Sequence, residues 1–327
     1  MSKLKENLLK TEVEDIKLSN SMSALSLIKA YNKMGGFTAK MLAKAHEILL
    51  EMFMDKECTV FLSFTGNLIA TGLRGVIADL ISRGYISVII TTGGAVDHDI
   101  ARSFGGKYFH GSFDLDDVML NELKIHRLGN ILIPINNYGP IIEKVTWKIL
   151  SELSNIKSEW SVRELLAEFG KRINDEHSFL RQAYLNNVSI YAPGILDSAF
   201  GTHIFMFSQT RNFKLNLIND MKELSDIIFE SNRTGALIIG GGISKHHTIW
   251  WNQFKGGLDY AVYITTAVEY DGSLSGARVK EAISWGKVKP KAKYVTVYGD
   301  ATIILPLLLA SIYEAILPET DLNKMNA

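Results

Sequence analysis

Short, uninterrupted runs of apolar residues recur along this chain, and they constrain its fold more than any other feature. Each run is only a few residues long, is rich in β-branched side chains, and gives way to a longer stretch with apolar residues at helical spacing. A strand that lacks alternating polar residues is buried on both faces, which is the environment of a parallel sheet. We therefore predict strands at residues 59–64, 88–92, 131–135, 189–192, 236–239, 260–264 and 294–298.

The stretches around these runs carry the helices. Two helices at residues 22–31 and 38–53, separated by a pair of glycines, precede the first strand. No internal repeat, low-complexity linker or proline-rich joint divides the sequence. We predict a single α/β domain over residues 21–327, with N-terminal helices and a doubly wound, mostly parallel, Rossmann-like sheet, and we expect residues 1–20 to form a mobile arm. The crossover helices are predicted at residues 68–83, 95–103, 117–124, 141–153, 162–168, 198–208, 224–230 and 302–316.

The composition restricts the class of protein. The chain has 327 residues, of which 47% are hydrophobic, and its 35 basic residues balance 35 acidic ones. That balance provides no net field toward nucleic acid or an anionic membrane. No apolar signal segment opens the chain, and the apolar segment 301–313 contains Pro306 and is too short to span a bilayer. We expect a soluble, cytoplasmic protein with no nucleic-acid or membrane partner, in which the single cysteine, Cys58, is a strand residue and not a nucleophile.

Three predicted strands end in glycine-containing turns, at residues 64–68, 91–95 and 240–242. In an open α/β sheet the ligand binds beyond the carboxyl ends of the strands. Glycine lets backbone amides approach a phosphate closely, and a helix N-terminus adds partial positive charge. None of the three matches G-x-G-x-x-G or a Walker A loop, and each alone is more typical of a tight left-handed connection than of a ligand site. Three such turns at one end of a sheet favour a dinucleotide or a similar ligand.

Imidazole and carboxylate side chains follow two of these turns. A divalent metal would accept such ligands, but neighbouring residues on a helix point in different directions and no H-E-x-x-H spacing occurs. We predict no metal site, and we expect one histidine to exchange a proton with an amine. The side chains concerned are Asp97, His98, Asp99, His246 and His247.

The segment 281–287, Glu-Ala-Ile-Ser-Trp-Gly-Lys, gives the strongest indication of chemistry. A lysine becomes a nucleophile when its amine is neutral, and apolar surroundings favour that form. A neutral amine attacks a carbonyl or imine carbon and forms a Schiff base. The alternative interpretation is a core Trp285 with Lys287 extending to solvent.

The loop at residues 271–278 lies between Glu269 and Glu281. It is typical either of an ordinary helix N-cap or of a carboxylate-rimmed pocket for a cationic ligand, in which Trp285 provides a cation–π surface. Taken with the glycine turns and Lys287, the second interpretation suits a reaction that oxidises an amine, captures the imine on lysine and passes the carbon fragment onward.

These motifs resemble the deoxyhypusine synthase family. The resemblance extends from Val13 to Leu317 and is most specific in Gly-Gly-Gly-x-x-Lys-His-His at residues 240–247 and in Ser-Trp-Gly-Lys at residues 284–287. It implies an NAD-dependent reaction on spermidine: the amine is oxidised to an imine, 1,3-diaminopropane leaves, and an enzyme lysine holds the aminobutyl unit. That unit then passes to one lysine of the hypusine-containing translation factor, where the new imine is reduced.

The resemblance also implies a role for individual residues. Lys287 corresponds to the nucleophile, and His246 corresponds to the histidine that handles the amine proton. The implied substrate-binding residues are Glu281, Trp285, Asp97, His98, Gly272 and Ser273. The implied NAD-contacting residues are Gly66, Asn67, Leu68, Ile69, Ala70, Thr92, Gly93, Gly94, Asp197, Gly241, Thr266, Ala267, Asp300 and Ala301. Family members are homotetramers with active sites at dimer interfaces, and an N-terminal arm covers the neighbouring site.

Some positions depart from the eukaryotic pattern, and the Asp-His-Asp sequence at residues 97–99 resembles archaeal members. Asp97-His98 stands where those enzymes have two glutamates, and Thr202 and Leu274 each replace an acid. A lost charge-assisted hydrogen bond costs about 1.5–3 kcal/mol. Amine recognition therefore relies on other acids, such as Asp97, Asp99 and Glu281, or is broader than spermidine.

Two alternative functions remain compatible with the sequence. A homospermidine synthase-type enzyme would pass the same aminobutyl unit to putrescine. A catalytically silent NAD-binding subunit would activate a partner, although it would be expected to lack Lys287 or His246, and both are present.

Overall fold

Six parallel strands form the central sheet of this protein, whose computed structural model describes residues 5–6 and 8–316. The strands of the chain are β1 (Cys58–Phe64), β2 (Val88–Ile90), β3 (Phe109–His110), β4 (Ile125–Leu128), β5 (Ile131–Pro134), β6 (Glu159–Trp160), β7 (Ser189–Tyr191), β8 (Lys214–Leu215), β9 (Arg233–Ile239), β10 (Leu258–Thr265) and β11 (Val288–Tyr298). The central sheet has the order β11-β10-β9-β1-β2-β7. Its first three strands in the chain lead to one edge and its last three to the other, which is the doubly wound order of Rossmann folds.

Helices cover both faces of the sheet. They are α1 (Ala24–Met34), α2 (Phe37–Met54), α3 (Gly66–Ile69), α4 (Leu73–Ser82), α5 (Gly93–Ser103), α6 (Asp117–Glu122), α7 (Gly139–Leu153), α8 (Val162–Arg172), α9 (Phe179–Leu185), α10 (Ala199–Ser208), α11 (Leu217–Glu230), α12 (Gly242–Gln253), α13 (Val279–Ser284) and α14 (Ala301–Ile316).

Successive residues of β1 enter two separate cores. Leu62 belongs to the core that includes residues of α1 to α5, α7 to α10 and α14. Phe61 belongs to the core on the opposite face, which includes residues of α11 to α13. Because a strand points neighbouring side chains to opposite faces, an unbroken apolar run is what two covered faces require. The predicted doubly wound α/β fold is confirmed. In this fold the direction in which successive strands are added reverses between β1 and β9.

Two predicted elements were wrong in detail. The run at 131–135 forms β5, but this strand pairs antiparallel with β3 and β4 in a separate small sheet. The reason is the tight turn after β4, where Gly129 has a φ of +59°. The predicted helix at 68–83 divides into α3 and α4, because the hydroxyl of Thr71 donates to the carbonyl of Leu68 and accepts from the N–H of Leu73. Helices α9, α12 and α13 were not predicted.

Predictions were also made for the apolar segment near the C-terminus, for the cysteine and for the N-terminal arm. The apolar segment at 301–313 lies in helix α14, and no helix among residues 5–6 and 8–316 has the length and apolarity to cross a bilayer. Cys58 begins β1, and burial raises the pKa of its thiol to about 12. Of the predicted arm, residues 1–4 and 7 lie outside the described residues. Glu14, within it, pairs with Lys33 at the end of α1 (3.4 Å).

Candidate active site

Lys287 lies immediately after the turn that ends helix α13. The turn is a Schellman motif: the N–H of Gly286 donates to the carbonyl of Ile283 (3.0 Å), and the N–H of Lys287 donates to the carbonyl of Ala282 (2.9 Å). Gly286 has a φ of +67°, in the left-handed region that favours glycine. The carbonyl of Lys287 accepts the N–H of Leu258 at the start of β10 (3.1 Å), so its main chain is fixed on both sides.

The side chain of Lys287 lies between two indole rings. The residue is 7% exposed, and its Nζ lies 5.2 Å from the ring centre of Trp285 and 5.7 Å from that of Trp250. Both distances are within the range of cation–π attraction. We call the cavity here the lysine cavity. It has a volume of about 150 Å³ and is lined by Lys245, Ile249, Tyr263, Leu274, Ala277, Arg278, Glu281, Ala282, Trp285 and Lys287.

The polar groups of the lysine cavity suit an amine. Glu281 is the only carboxylate among the described residues that line it. The hydroxyl of Tyr263 is buried and has no hydrogen-bond partner among the residues that the structure describes. A buried hydroxyl without a partner is costly, so a polar ligand would satisfy it. A carboxylate, a free hydroxyl and aromatic faces together match a cationic chain with apolar methylenes.

His246 lies on helix α12 and stacks on Trp250, one turn further along the helix. The two ring centres are 5.6 Å apart and the planes are inclined by 23°. Burial lowers the pKa of His246, and the positive charge of Lys287 lowers it further. His246 is therefore neutral near neutral pH and can accept a proton. The neighbouring His247 points elsewhere and accepts the indole N–H of Trp251 (3.1 Å).

A second cavity, which we call the glycine-rich cavity, opens at the carboxyl ends of β1, β9, β10 and β11. This is the switch point of the sheet, where doubly wound folds bind ligands. Its volume is about 210 Å³. Of the predicted NAD-contacting residues it contains Asn67, Leu68, Gly241, Thr266, Ala267, Asp300 and Ala301. Its other lining residues include Thr65 and Gly240 of the predicted glycine turns and Ser275 of the predicted loop. The sequence did not point to the remaining ones, which are Ile239, Ile264, Thr265 and Gly299.

Close backbone approach explains the glycines at this edge. A Cβ on Gly241 would lie 2.1 Å from the Oγ of Ser275, and one on Gly66 would lie 2.7 Å from the carbonyl carbon of Gly94. Gly240 has a φ of +82°. Only glycine therefore allows these main-chain segments to approach so closely. Of these glycines, Gly240 and Gly241 line the glycine-rich cavity.

The remaining predicted NAD-contacting residues lie outside the glycine-rich cavity. Gly93 and Gly94 begin α5 at the end of β2, and a Cβ on Gly93 would lie 2.5 Å from Ser198. Asp197 is exposed beyond β7. The others are Gly66, Ile69, Ala70 and Thr92, and all seven follow β1, β2 or β7 at the same edge of the sheet.

Asp97 has a structural role within this chain. Its carboxylate accepts the N–H groups of Ala199 and Phe200 (both 2.8 Å) at the start of α10 and the hydroxyl of Tyr138 (3.0 Å). Burial raises its pKa, whereas these three donors oppose that rise. It lines neither the lysine cavity nor the glycine-rich cavity.

The two residues after Asp97 are also engaged with the protein. Nδ1 of His98 lies 2.9 Å from the hydroxyl of Tyr108, and burial lowers the pKa of His98 to about 4, with Arg102 adding to the effect. Asp99 pairs with the buried guanidinium of Arg74 (2.6 Å). Neither side chain lines the lysine cavity.

The predicted loop at 271–278 contributes unequally to the cavities. Gly272 and Ser273 form an exposed turn outside the lysine cavity, and Gly272 has a φ of +68°. Leu274 lines that cavity in place of the expected acid and makes its wall apolar. Thr202 is exposed on α10 and donates its hydroxyl proton to the carbonyl of Ser198 (2.9 Å).

The sequence did not identify three residues around Lys287: Lys245, Trp250 and Tyr263. A sequence signal was available for Trp250 and Lys245. Trp250 follows His246 by four residues and Ile249 follows Lys245 by four, and this spacing places the two members of each pair on one face of a helix. No comparable pattern marks Tyr263. As for metals, no group of three or more His, Cys, Asp or Glu side chains in the described part of the chain could hold an ion.

The fold and the two cavities define an α/β protein with a lysine pocket and a glycine-rich crevice of the dinucleotide-binding type. The family model of deoxyhypusine synthase matches residues 26–312. The chain therefore belongs to the deoxyhypusine synthase family, and it is an enzyme of that family.

Individual relatives are similar in sequence to this chain over nearly its whole length. "Probable deoxyhypusine synthase" of Sulfolobus acidocaldarius is 58% identical over 308 residues, which are 94% of this chain and 99% of the relative. "Probable deoxyhypusine synthase" of Thermoplasma volcanium is 51% identical over 307 residues, which are 94% and 98% of the two chains. The solved structure "Crystal Structure of a putative deoxyhypusine synthase from Entamoeba histolytica" covers 92% of this chain and 97% of its own at a TM-score of 0.65. At 20% identity, this last likeness shows the fold.

Proposed function

We propose that this enzyme transfers the aminobutyl group of spermidine to a specific lysine of the hypusine-containing translation factor, with NAD as cofactor. The observation that carries the proposal is Lys287, whose buried amine lies between two indole rings in a cavity with Glu281. The family supplies the reaction type, and the cavity supplies a nucleophile and an amine-binding surface for it.

The glycine-rich cavity is the place for the cofactor. Gly241, Thr266, Ala267 and Asp300 would hold NAD there, since all four line that cavity. NAD bound there would supply a hydride acceptor for the amine carbon and, as NADH, a hydride donor for the product imine.

The chain's own residues carry the transfer. Glu281 and the indole faces of Trp250 and Trp285 bind the ammonium groups of the substrate. His246, being neutral, accepts the proton that a substrate ammonium loses. Nζ of Lys287 attacks the imine carbon and forms a new carbon–nitrogen bond. The bond to 1,3-diaminopropane then breaks, the leaving nitrogen takes a proton, and the aminobutyl unit stays on Lys287 as an imine.

The assembly follows from the family resemblance. We propose a cytoplasmic homotetramer with active sites at dimer interfaces, so that Lys287 and the cofactor residues at one site come from two chains. Gly272 and Ser273, which are exposed, would then contribute to substrate binding at a partner's lysine cavity, whereas Asp97 and His98 would keep their contacts within their own chain.

Covalent trapping tests this proposal. The purified protein is incubated with NAD and spermidine, treated with borohydride, and analysed by intact mass and peptide mapping. We expect an aminobutyl adduct on Lys287, no adduct in Lys287→Ala, and near-normal NAD binding by that variant. Lys289→Ala is the matched control, because Lys289 is two residues away but pairs with Asp259 (2.7 Å), and it should form the adduct normally.

Three outcomes separate the alternatives. Bound NAD without any adduct would support the silent-subunit function. An adduct that passes to putrescine and not to the translation factor would support homospermidine synthesis. Loss of NAD binding in Lys287→Ala would contradict the assignment of Lys287 as nucleophile.

A further inference from the structure

Lys245 is a buried lysine that the proposed reaction does not use. It precedes His246 on α12 and is 1% exposed. Its Nζ donates to the carbonyls of Leu274 (2.7 Å) and Ala277 (2.8 Å) and lies 4.3 Å from the ring centre of Tyr263. A buried amine is costly unless its N–H groups are satisfied. These two carbonyls and the aromatic ring are therefore the partners that allow Lys245 to be buried.

Both carbonyls belong to residues 272–278, the segment that leads into α13, which we call the partition. Leu274 and Ala277 of the partition line the lysine cavity. Ser275, between them in sequence, lines the glycine-rich cavity. One short segment thus forms a wall of both cavities, and Lys245 holds it from helix α12.

Other contacts hold the partition on the side away from Lys245. The hydroxyl of Thr265, at the end of β10, donates to the carbonyl of Ser275 (3.1 Å). Gly276 lies so close to Val268 that a Cβ would be 2.0 Å from its carbonyl oxygen. The partition is therefore anchored to the sheet through Thr265 and to α12 through Lys245.

The hydrogen bonds from Lys245 to the partition do not require a positive charge on its amine. Burial lowers the pKa of Lys245 to about 8, whereas the carboxylate of Glu281 acts in the opposite direction. A neutral amine still carries two N–H groups, so both carbonyls keep their donor on either side of that pKa. Hydrogen bonding and side-chain length account for a lysine here.

We propose that Lys245 is a positioning residue, which fixes the partition and thereby the shape of the two cavities that the partition separates. The expected effect of Lys245 on catalysis rests on the proposed function, whereas its effect on the partition does not. Transfer requires the reacting atoms to be about 3–3.5 Å apart and aligned, and a displacement of about 1 Å can cost roughly 10²-fold in rate.

Hydrogen exchange on the full-length protein tests the structural part. We expect backbone amides of residues 272–278 to exchange about tenfold faster in Lys245→Met, since two hydrogen bonds to a buried amine are lost. Lys255→Met is the matched control: Lys255 follows the same helix and donates to the carbonyl of Phe229 (3.0 Å), but lines neither cavity. It should leave exchange at 272–278 unchanged. If Lys245→Met does not fold, Lys245→Gln, which retains a shorter N–H donor, should show intermediate exchange.

Adduct kinetics test the catalytic part. At saturating NAD and spermidine we expect Lys245→Met to form the Lys287 adduct about tenfold or more slowly, with KM values within about threefold of wild type. Unchanged exchange at 272–278 would overturn the proposal, and so would faster exchange with an unaltered rate. Absence of any adduct in the wild type would instead count against the proposed function, and the exchange result would still decide whether Lys245 holds the partition.

Discussion

At the residue scale, His246 shows how burial and a neighbouring charge set a protonation state. Burial lowers the pKa of this imidazole, and the charge of Lys287 lowers it further. A lowered pKa means that the neutral form dominates above pH 6.5 and is lost only as the pH falls through the lowered value. We therefore expect the acid limb of adduct formation to lie below pH 6.5 if His246 is the proton acceptor.

The pKa of His246 should respond to removal of the charge at Lys287. In Lys287→Met we expect it to rise toward 6.5 without reaching it, because burial remains the larger cause. The measurement is an NMR titration of the histidine ring signals, assigned with His246→Gln. His247 is an internal control, since burial and then His246 lower its pKa to about 4. An unchanged titration of His246 would mean that the charge of Lys287 does not act on its imidazole.

Individual residues of the site were predictable to different degrees. Lys287, Glu281 and Trp285 lie within one short segment, so a single motif brought them together before any fold was known. Lys245 and Tyr263 come from α12 and β10, and they meet only because the sheet sets those elements side by side. No linear pattern contains that information.

At the element scale, the end of α13 positions Lys287, the proposed nucleophile. The Schellman motif directs the chain from α13 into β11, and Lys287 is the last residue before β11 begins. The left-handed conformation at Gly286 allows this abrupt change of direction. The glycine of the Trp-Gly-Lys motif is therefore a requirement of backbone geometry.

Gly286→Ala should separate stability from positioning. A Cβ at residue 286 would meet nothing within 4 Å, so the cost is conformational. We expect the free energy of unfolding to fall by about 1 kcal/mol. We also expect slower adduct formation, because Lys287 is displaced. Gly84→Ala is the control, because Gly84 follows α4 with a φ of +77° and equally open surroundings. Denaturant unfolding should show similar losses in both variants. Equal adduct rates in the two variants would show that the cap does not position Lys287.

The strands of the central sheet were the most predictable elements. Runs such as that of β9 must be apolar on both faces, and this requirement is visible in the sequence. Helix α12 was missed because glycines, histidines and tryptophans weaken its pattern, although its inner face packs Ile249 against the sheet. Elements that carry the site depart from regular patterns, since their residues serve a ligand as well as the core.

At the scale of the whole molecule, large apolar side chains remain exposed on the elements that form the two cavities. Trp285 is 66% exposed, Tyr270 is 88% exposed and Ile303, in the first turn of α14, is 71% exposed. Equal numbers of acidic and basic residues leave no net charge to oppose association of copies. An apolar rim around a site indicates an interaction surface, in agreement with sites completed by a second copy.

Mixing two inactive variants should restore activity if each site draws on two chains. Lys287→Ala lacks the nucleophile, and Ala267→Trp would fill the glycine-rich cavity. In a dimer of one variant with the other, one of the two sites would combine intact Lys287 with an intact cofactor cavity. Because about half of randomly mixed dimers are of this kind, adduct formation should reach about a quarter of the wild-type amount. A mixture as inactive as its components, after verified subunit exchange, would show instead that each chain builds its site alone.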